Sequence, residues 1–143
     1  MKNYTVGFIF SESMDKVLLM HKLRPEWQAG MINGLGGKVE EGEDHITCVM
    51  REIKEESGLE TERDDWNFIC STHSPVWTVN FFGYVYTGEM NDAKSMEQEQ
   101  VEWFDVKNLP ENVVGNLKWL IPLTVDRMIG KDFIFKKVDV EYE

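Results

Sequence analysis

The stretch Gly36–Glu60, GGKVEEGEDHITCVMREIKEESGLE, changes character near Asp44. From there the apolar residues recur at helical spacing, with Ile46, Val49, Met50 and Ile53 on one stripe, and Gly58 supplies a C-terminal stop. This pattern predicts an amphipathic helix from about Asp44 to Gly58. On an ideal helix Glu52, Glu55 and Glu56 fall within about 100° of one another, beside the apolar stripe. Each like-charge pair at that spacing destabilises a helix by about 0.2–0.5 kcal/mol, and the dipole at the C-terminal half adds to the repulsion. Arg51 and Lys54 compensate in part. Hard oxygen donors on a rigid element are what a divalent cation, Mg²⁺ or Mn²⁺, requires. A solvated acidic face is the competing reading of EIKEE taken alone.

Outward from this helix the chain reads as strands. YTVGFIF and KVLLMH are apolar, β-branched runs separated by the polar SESMD, a strand, turn, strand pattern. NGLGGKVEEGE carries Gly34, Gly36, Gly37 and Gly42, which points to close backbone approach in place of regular structure. After the helix, WNFICST, VWTVNFFGYVY and QVEWFDV read as further strands, and DFIFKKVDVEY as a terminal one. Pro122 fits the first turn of a second helix, Leu120 to Met128, stopped by Gly130. Helices interrupting a larger number of strands imply a mixed α/β (α+β) fold, a mixed sheet covered by helices.

The 143 residues, with 42% hydrophobic content, suffice for one core and predict a single domain over 1–143. A formal net charge of −11 makes nucleic acid an unlikely bulk partner and argues equally against an anionic membrane. No apolar run approaches the roughly 20 residues that span a bilayer, and MKNYTVGFIF lacks the features of a signal peptide, so a cytoplasmic location is expected. Cys48 and Cys70, without a C-x-x-C or a histidine cluster, read as reduced, packed thiols.

The whole string from Gly37 to Leu59 carries more than the helix alone. Gly37, Glu43 and REIKEESGL match G-x5-E-x7-R-E-U-x-E-E-x-G-U without a departure, U being a bulky aliphatic residue. In this the sequence resembles the Nudix hydrolases, whose fold is an α/β/α sandwich. The resemblance implies a hydrolase for a nucleoside diphosphate linked to another moiety, dependent on Mg²⁺ or Mn²⁺. Carried over, Glu55 and Glu56 become metal ligands, Glu52 a ligand or the base that activates water, and the Gly36 carbonyl a further ligand. Arg51 and Glu43 become the pair that orients the catalytic carboxylates. Family members often recruit one more carboxylate from a later loop, and SMEQEQVEW offers Glu97 and Glu99, either as ligand or as base.

The asparagine–glycine pair before the glycine loop resembles the MutT-like subgroup acting on oxidised purine nucleoside triphosphates such as 8-oxo-dGTP. By that likeness Asn33 reads a purine edge, the alternative being a turn asparagine with a left-handed backbone. Asn116 lies where MutT-like enzymes carry a purine-reading asparagine, with a helix cap as the alternative. Lys22 resembles a phosphate contact, and Lys38 in the glycine loop is another. Trp27, Phe81, Trp103 and Trp119 are the candidates for base stacking, of which only Trp27 lies in a loop. The leading expectation is a triphosphate pyrophosphohydrolase, monomer or homodimer, releasing a nucleoside monophosphate and pyrophosphate. The alternatives are a Nudix hydrolase for ADP-ribose, a dinucleoside polyphosphate or a capped RNA end, and a non-catalytic nucleotide sensor.

Overall fold

A computed structural model describes residues 1–130 and 134–143. In chain order it has β1 (Lys2–Phe10), β2 (Lys16–His21), β3 (Ile32–Asn33), β4 (Leu35–Lys38), α1 (His45–Ser57), β5 (Asn67–His73), β6 (Trp77–Val85), β7 (Val101–Asp105), α2 (Leu117–Ile129) and β8 (Val138–Glu141). The sheet runs β3-β2-β1-β6-β5-β8, with β4 added against β1 and β7 against β2. It is mixed. β1 and β6 pair in parallel from Lys2↔Trp77 to Phe10↔Val85, β5 and β8 pair in parallel, and the other ladders are antiparallel.

Strand alternation divides the core into two layers. Phe8, Phe10, Val17, Leu19 and Phe81 face Leu117, Leu120 and Ile121 of α2. Their neighbours Ile9, Leu18, Met20, Phe82 and Tyr84 point to the opposite side and pack with Val49 and Ile53 of α1. Burial on both faces is why the central strands read as nearly continuous apolar runs. The result is the expected α/β/α sandwich. Cys48 and Cys70 are free and buried within it.

α1 forms where the periodicity places it. The Asp44 carboxylate accepts the Thr47 N–H at 2.8 Å, and Gly58 closes the C-terminus at φ 75°. Three expectations need correction. The glycine stretch is regular structure: Leu35–Lys38 pairs with β1 through Val6↔Gly36 and Thr5↔Gly37, so the close approach occurs inside a ladder. α2 starts at Leu117, one turn earlier than expected, and Pro122 lies inside it. The residue four positions back, Lys118, is exposed, so its carbonyl can turn to water in place of the missing N–H. Finally, the terminal strand is confined to Val138–Glu141, while Asp132 and Phe133 of the expected strand lie outside the described residues. Among the described residues no helix is long and apolar enough to cross a membrane.

Candidate active site

The acidic edge of α1 is organised by Arg51. Its Nε and Nη2 donate to the two Glu43 oxygens at 2.7 and 3.0 Å, a bidentate pairing. Nη1 donates to Glu52 at 2.9 Å and to Glu55 at 3.3 Å, and Nη2 also reaches the Lys38 carbonyl at 3.2 Å. One guanidinium therefore holds three motif glutamates and the end of β4. Glu43, further bonded by the Glu40 N–H, is kept at a pKa of about 2, chiefly by Arg51. Its role in this geometry is to fix Arg51.

Glu52 and Glu56 lie on the inner side of this edge, against β4. The Glu56 carboxylate accepts the Gly36 N–H at 2.9 Å. A Cβ at Gly36 would collide with the Thr5 carbonyl of the β1 backbone, so only glycine fits there, and one at Gly37 would displace the Glu52 carboxylate. Burial raises the Glu52 pKa, with Arg51 opposing. Burial, then the charge of Glu52, pushes Glu56 up to about 8, with the Gly36 N–H and Lys22 pulling it back. Two carboxyls held reluctant to ionise by desolvation and mutual repulsion are what a bound dication relieves. Among the described residues no three acidic, His or Cys side chains are already drawn into a coordination shell. Hard carboxylate oxygens fit Mg²⁺ or Mn²⁺ in donor chemistry.

The loop that holds Glu97 is tied to the same helix end. Lys94 N–H donates to the Ser57 carbonyl at 2.9 Å and Met96 N–H to the Glu56 carbonyl at 3.2 Å, satisfying two groups that a helix terminus leaves open. The Glu97 charge is felt by both Glu52 and Glu56. Glu99 turns elsewhere. Its carboxylate pairs with Lys22 at 3.1 Å and accepts the Leu23 N–H at 2.7 Å. Burial opposes its ionisation, but those partners hold its pKa below the ordinary value.

On the other side of β4 lies a pocket of about 640 Å³. Its floor is the sheet face that presents Tyr4 and Val6 of β1, Val79 and Phe81 of β6 and Thr72 of β5, and Val114 and Asn116 border it just before α2. Lys22, Trp27, Asn33 and Gly36, all singled out in the sequence, line it as well. The Asn33 amide is committed locally: Nδ2 donates to Gln28 at 2.9 Å, and Oδ1 accepts the Gly34 N–H at 2.8 Å. Asn33 sits in β3 and not in a left-handed turn; among the described residues Met14 alone of the non-glycines has positive φ. Asn116 makes no capping hydrogen bond, so its side chain is open to the pocket.

Three candidates fall away from this pocket. Lys38 gives its carbonyl to Arg51 but is exposed at the end of β4. Trp103 donates to the Met90 carbonyl and packs in the α1-side core, while Trp119 is exposed on α2. Phe81 is a floor residue stacked on Phe8 at 5.9 Å. Thr72, Trp77 and Tyr142 also line the pocket, and none of them stood out in the sequence. The available signal was alternation, since Trp77, Val79 and Phe81 share one face of β6, and Tyr142 continues the inward series of Val138 and Val140.

The model of the NUDIX domain matches residues 1–122. The NAD-capped RNA hydrolase NudC of Vibrio atlanticus is 32% identical over 120 residues, covering 78% of this chain and 42% of the relative. NudC of Pseudomonas putida is 29% identical over 120 residues, covering 82% and 43%. The chain thus spans under half the length of these curated relatives. Among solved structures, a MutT NUDIX hydrolase from Burkholderia pseudomallei aligns with a TM-score of 0.71 at 23% identity over 85% of this chain and 96% of that one. An ADP-ribose pyrophosphatase from Streptococcus suis aligns with a TM-score of 0.73 at 22% identity over 96% and 98%. With the motif helix, its arginine-bridged glutamates and the sandwich in agreement with these likenesses, the chain belongs to the NUDIX domain family.

Proposed function

We propose that this chain is a metal-dependent pyrophosphohydrolase that cleaves a purine nucleoside triphosphate to the monophosphate and pyrophosphate. One observation carries the reading: the buried carboxylates of α1 and an aromatic-lined pocket of about 640 Å³ share the same strand, β4, as their boundary. Glu52, Glu55, Glu56 and the Gly36 carbonyl would hold Mg²⁺ or Mn²⁺, with Glu97 favoured over Glu99 as the extra carboxylate, because Glu99 is committed to Lys22 and Leu23. Such a cation supplies neutralisation of phosphate charge and activation of water. Arg51, locked by Glu43, keeps the Glu52 carboxylate pointed away from the helix and against Gly37. In this reading Glu52 either completes the metal's ligands or takes the proton from an attacking water. Lys22, at the pocket wall, meets phosphate oxygens; Asn116 offers donor and acceptor to the base edge, and Trp27, 65% exposed, supplies a stacking face.

A second reading has its own support. The curated relatives are named for NAD-capped RNA and one fold neighbour for ADP-ribose, both built on a diphosphate between two moieties. Those names also weaken the expectation, drawn from net charge, that nucleic acid is no partner. A panel of dGTP, 8-oxo-dGTP, ATP, ADP-ribose and NAD, each with Mg²⁺, separates the readings. Pyrophosphate release from the triphosphates is expected. Turnover of ADP-ribose or NAD in preference would replace the substrate assignment, and tight binding without turnover of any member would replace the enzyme by a sensor.

A further inference from the structure

Glu99 is set apart from its own loop. Every other residue between positions 94 and 100 is exposed, whereas the Glu99 side chain is 11% exposed and reaches the chain that follows β2. That chain, residues 22–31, forms the lip of the pocket: Lys22, Pro25, Trp27 and Gln28 line it. Its base is closed by the Lys22 N–H donating to the Met31 carbonyl at 2.8 Å and the Gly30 N–H to the Lys22 carbonyl at 3.0 Å. Beyond that base, residues 23–27 are all exposed, so packing holds them weakly.

The two Glu99 oxygens have separate partners. Oε1 accepts from the Lys22 ammonium at 3.1 Å, while Oε2 accepts the Leu23 N–H at 2.7 Å and the Arg24 N–H at 3.4 Å. Among the described residues neither amide has a backbone acceptor, so the start of the exposed lip depends on this one oxygen. The Lys22 side chain is 16% exposed, which shelters its pair with Glu99 and sets it apart from an ordinary surface pair. The Met20 sulfur, 3.9 Å from the ammonium, is only a weak second partner. An ammonium carries three donors; Glu99 uses one, and the rest remain for an anion in the pocket. Held in this way, Lys22 meets a phosphate without first giving up the freedom of a solvated lysine.

We propose that Glu99 is a positioning residue for the substrate: one oxygen holds the Lys22 ammonium for a phosphate, and the other holds the start of the lip that carries Trp27. This rests on the reading of the pocket as a nucleotide site. Calorimetric titration in chelator with GMP, and with ribose 5-phosphate as a base-free control, tests it, since a metal then plays no part in the readout. Glu99→Gln keeps an oxygen for the two amides but turns an amide NH₂ toward Lys22. Both ligands should weaken together, about three- to tenfold, the range for immobilising one long side chain. Glu99→Ala frees the lip as well, so GMP should weaken about threefold further while ribose 5-phosphate does not. In the ligand-free protein, hydrogen exchange at Leu23 and Arg24 should quicken in Glu99→Ala and not in Glu99→Gln. In a Lys22→Met background Glu99→Gln should change neither affinity, because the contact it steers is gone. Unchanged binding in Glu99→Gln, an added loss in the Lys22→Met background, equal GMP affinity in the two Glu99 variants, or Leu23 and Arg24 amides that exchange alike in Glu99→Ala and the parent each overturns the proposal. So does a parent protein that binds neither ligand. Absence of turnover of any nucleotide, with this binding pattern intact, would refute the catalytic reading and leave the positioning role standing; turnover with the pattern lost would do the reverse.

Discussion

Replacing Glu56 with glutamine tests the electrostatics of the site directly. In the folded, metal-free chain this carboxyl is pushed up to about 8 from an ordinary 4.5, mainly by burial at 6% exposure. Between those two values the folded state keeps a proton that the unfolded chain releases. A carboxyl raised in this way contributes stability that is fully present below the unfolded pKa and is lost as pH climbs toward the folded one. Between pH 5 and pH 7 the loss comes to about 2 to 3 kcal/mol, because each tenfold fall in proton concentration across that window costs the folded state about 1.4 kcal/mol. For a domain of this size that is roughly 8 °C in Tm. Glu56→Gln keeps an oxygen for the Gly36 N–H and has no proton to give up. Melting curves of both proteins in chelator, from pH 5 to 8, should therefore diverge, with the variant gaining on the parent as pH rises. Saturating Mg²⁺ should close the gap by stabilising the parent more at pH 8 than at pH 6. Parallel curves across that range would refute the claim that Glu56 is held protonated by its surroundings.

Glu97→Gln should lower kcat by about two orders of magnitude or more if its carboxylate serves the metal or the base, while Glu99→Gln should act on KM through Lys22 and leave kcat within a few fold; steady-state kinetics on the preferred nucleotide distinguishes them. Arg51→Lys loses the fork that grips Glu43 and Glu52 together, and should reduce activity about 10- to 100-fold with the fold retained by circular dichroism. Gly37→Ala drives a methyl into the Glu52 carboxylate, so turnover should fall about 100-fold, read against an unchanged Kd for the product monophosphate.

The motif helix was legible because everything that makes it is local. The 3.6-residue stripe and the Gly58 stop are read within one stretch of chain, and the structure returns the helix as His45–Ser57 and adds the Asp44 cap. A sheet covered on both faces was legible from the nearly continuous apolar runs of its central strands, but which helix Phe8, Ile9 and Phe10 each face was not, because both faces are equally apolar. Pro122 misled because local preference favours a first-turn proline, whereas the apolar contacts of Leu117 with the core carry the helix a turn further back. The different tethering of Glu97 and Glu99 could not be read at all. It depends on the Ser57 and Glu56 carbonyls holding one loop and on Leu23 and Lys22 holding the other residue, partners that the sequence separates by tens of positions.

The glycines of β4 carry the largest consequence that the sequence concealed. Read as a loop, GLGG explains only close backbone approach; placed in a ladder between Val6 and α1, it explains how chemistry on one face of a sheet serves a pocket on the other. A side chain at 37 would run into the Glu52 carboxylate, and one at 36 would run into the β1 backbone at Thr5 and Val6. With hydrogen alone at both positions, the separating wall is a single backbone thickness, and Glu56 can bond that backbone directly. The acidic helix and the pocket thus stay packed in different layers, each with its own core, and both border β4.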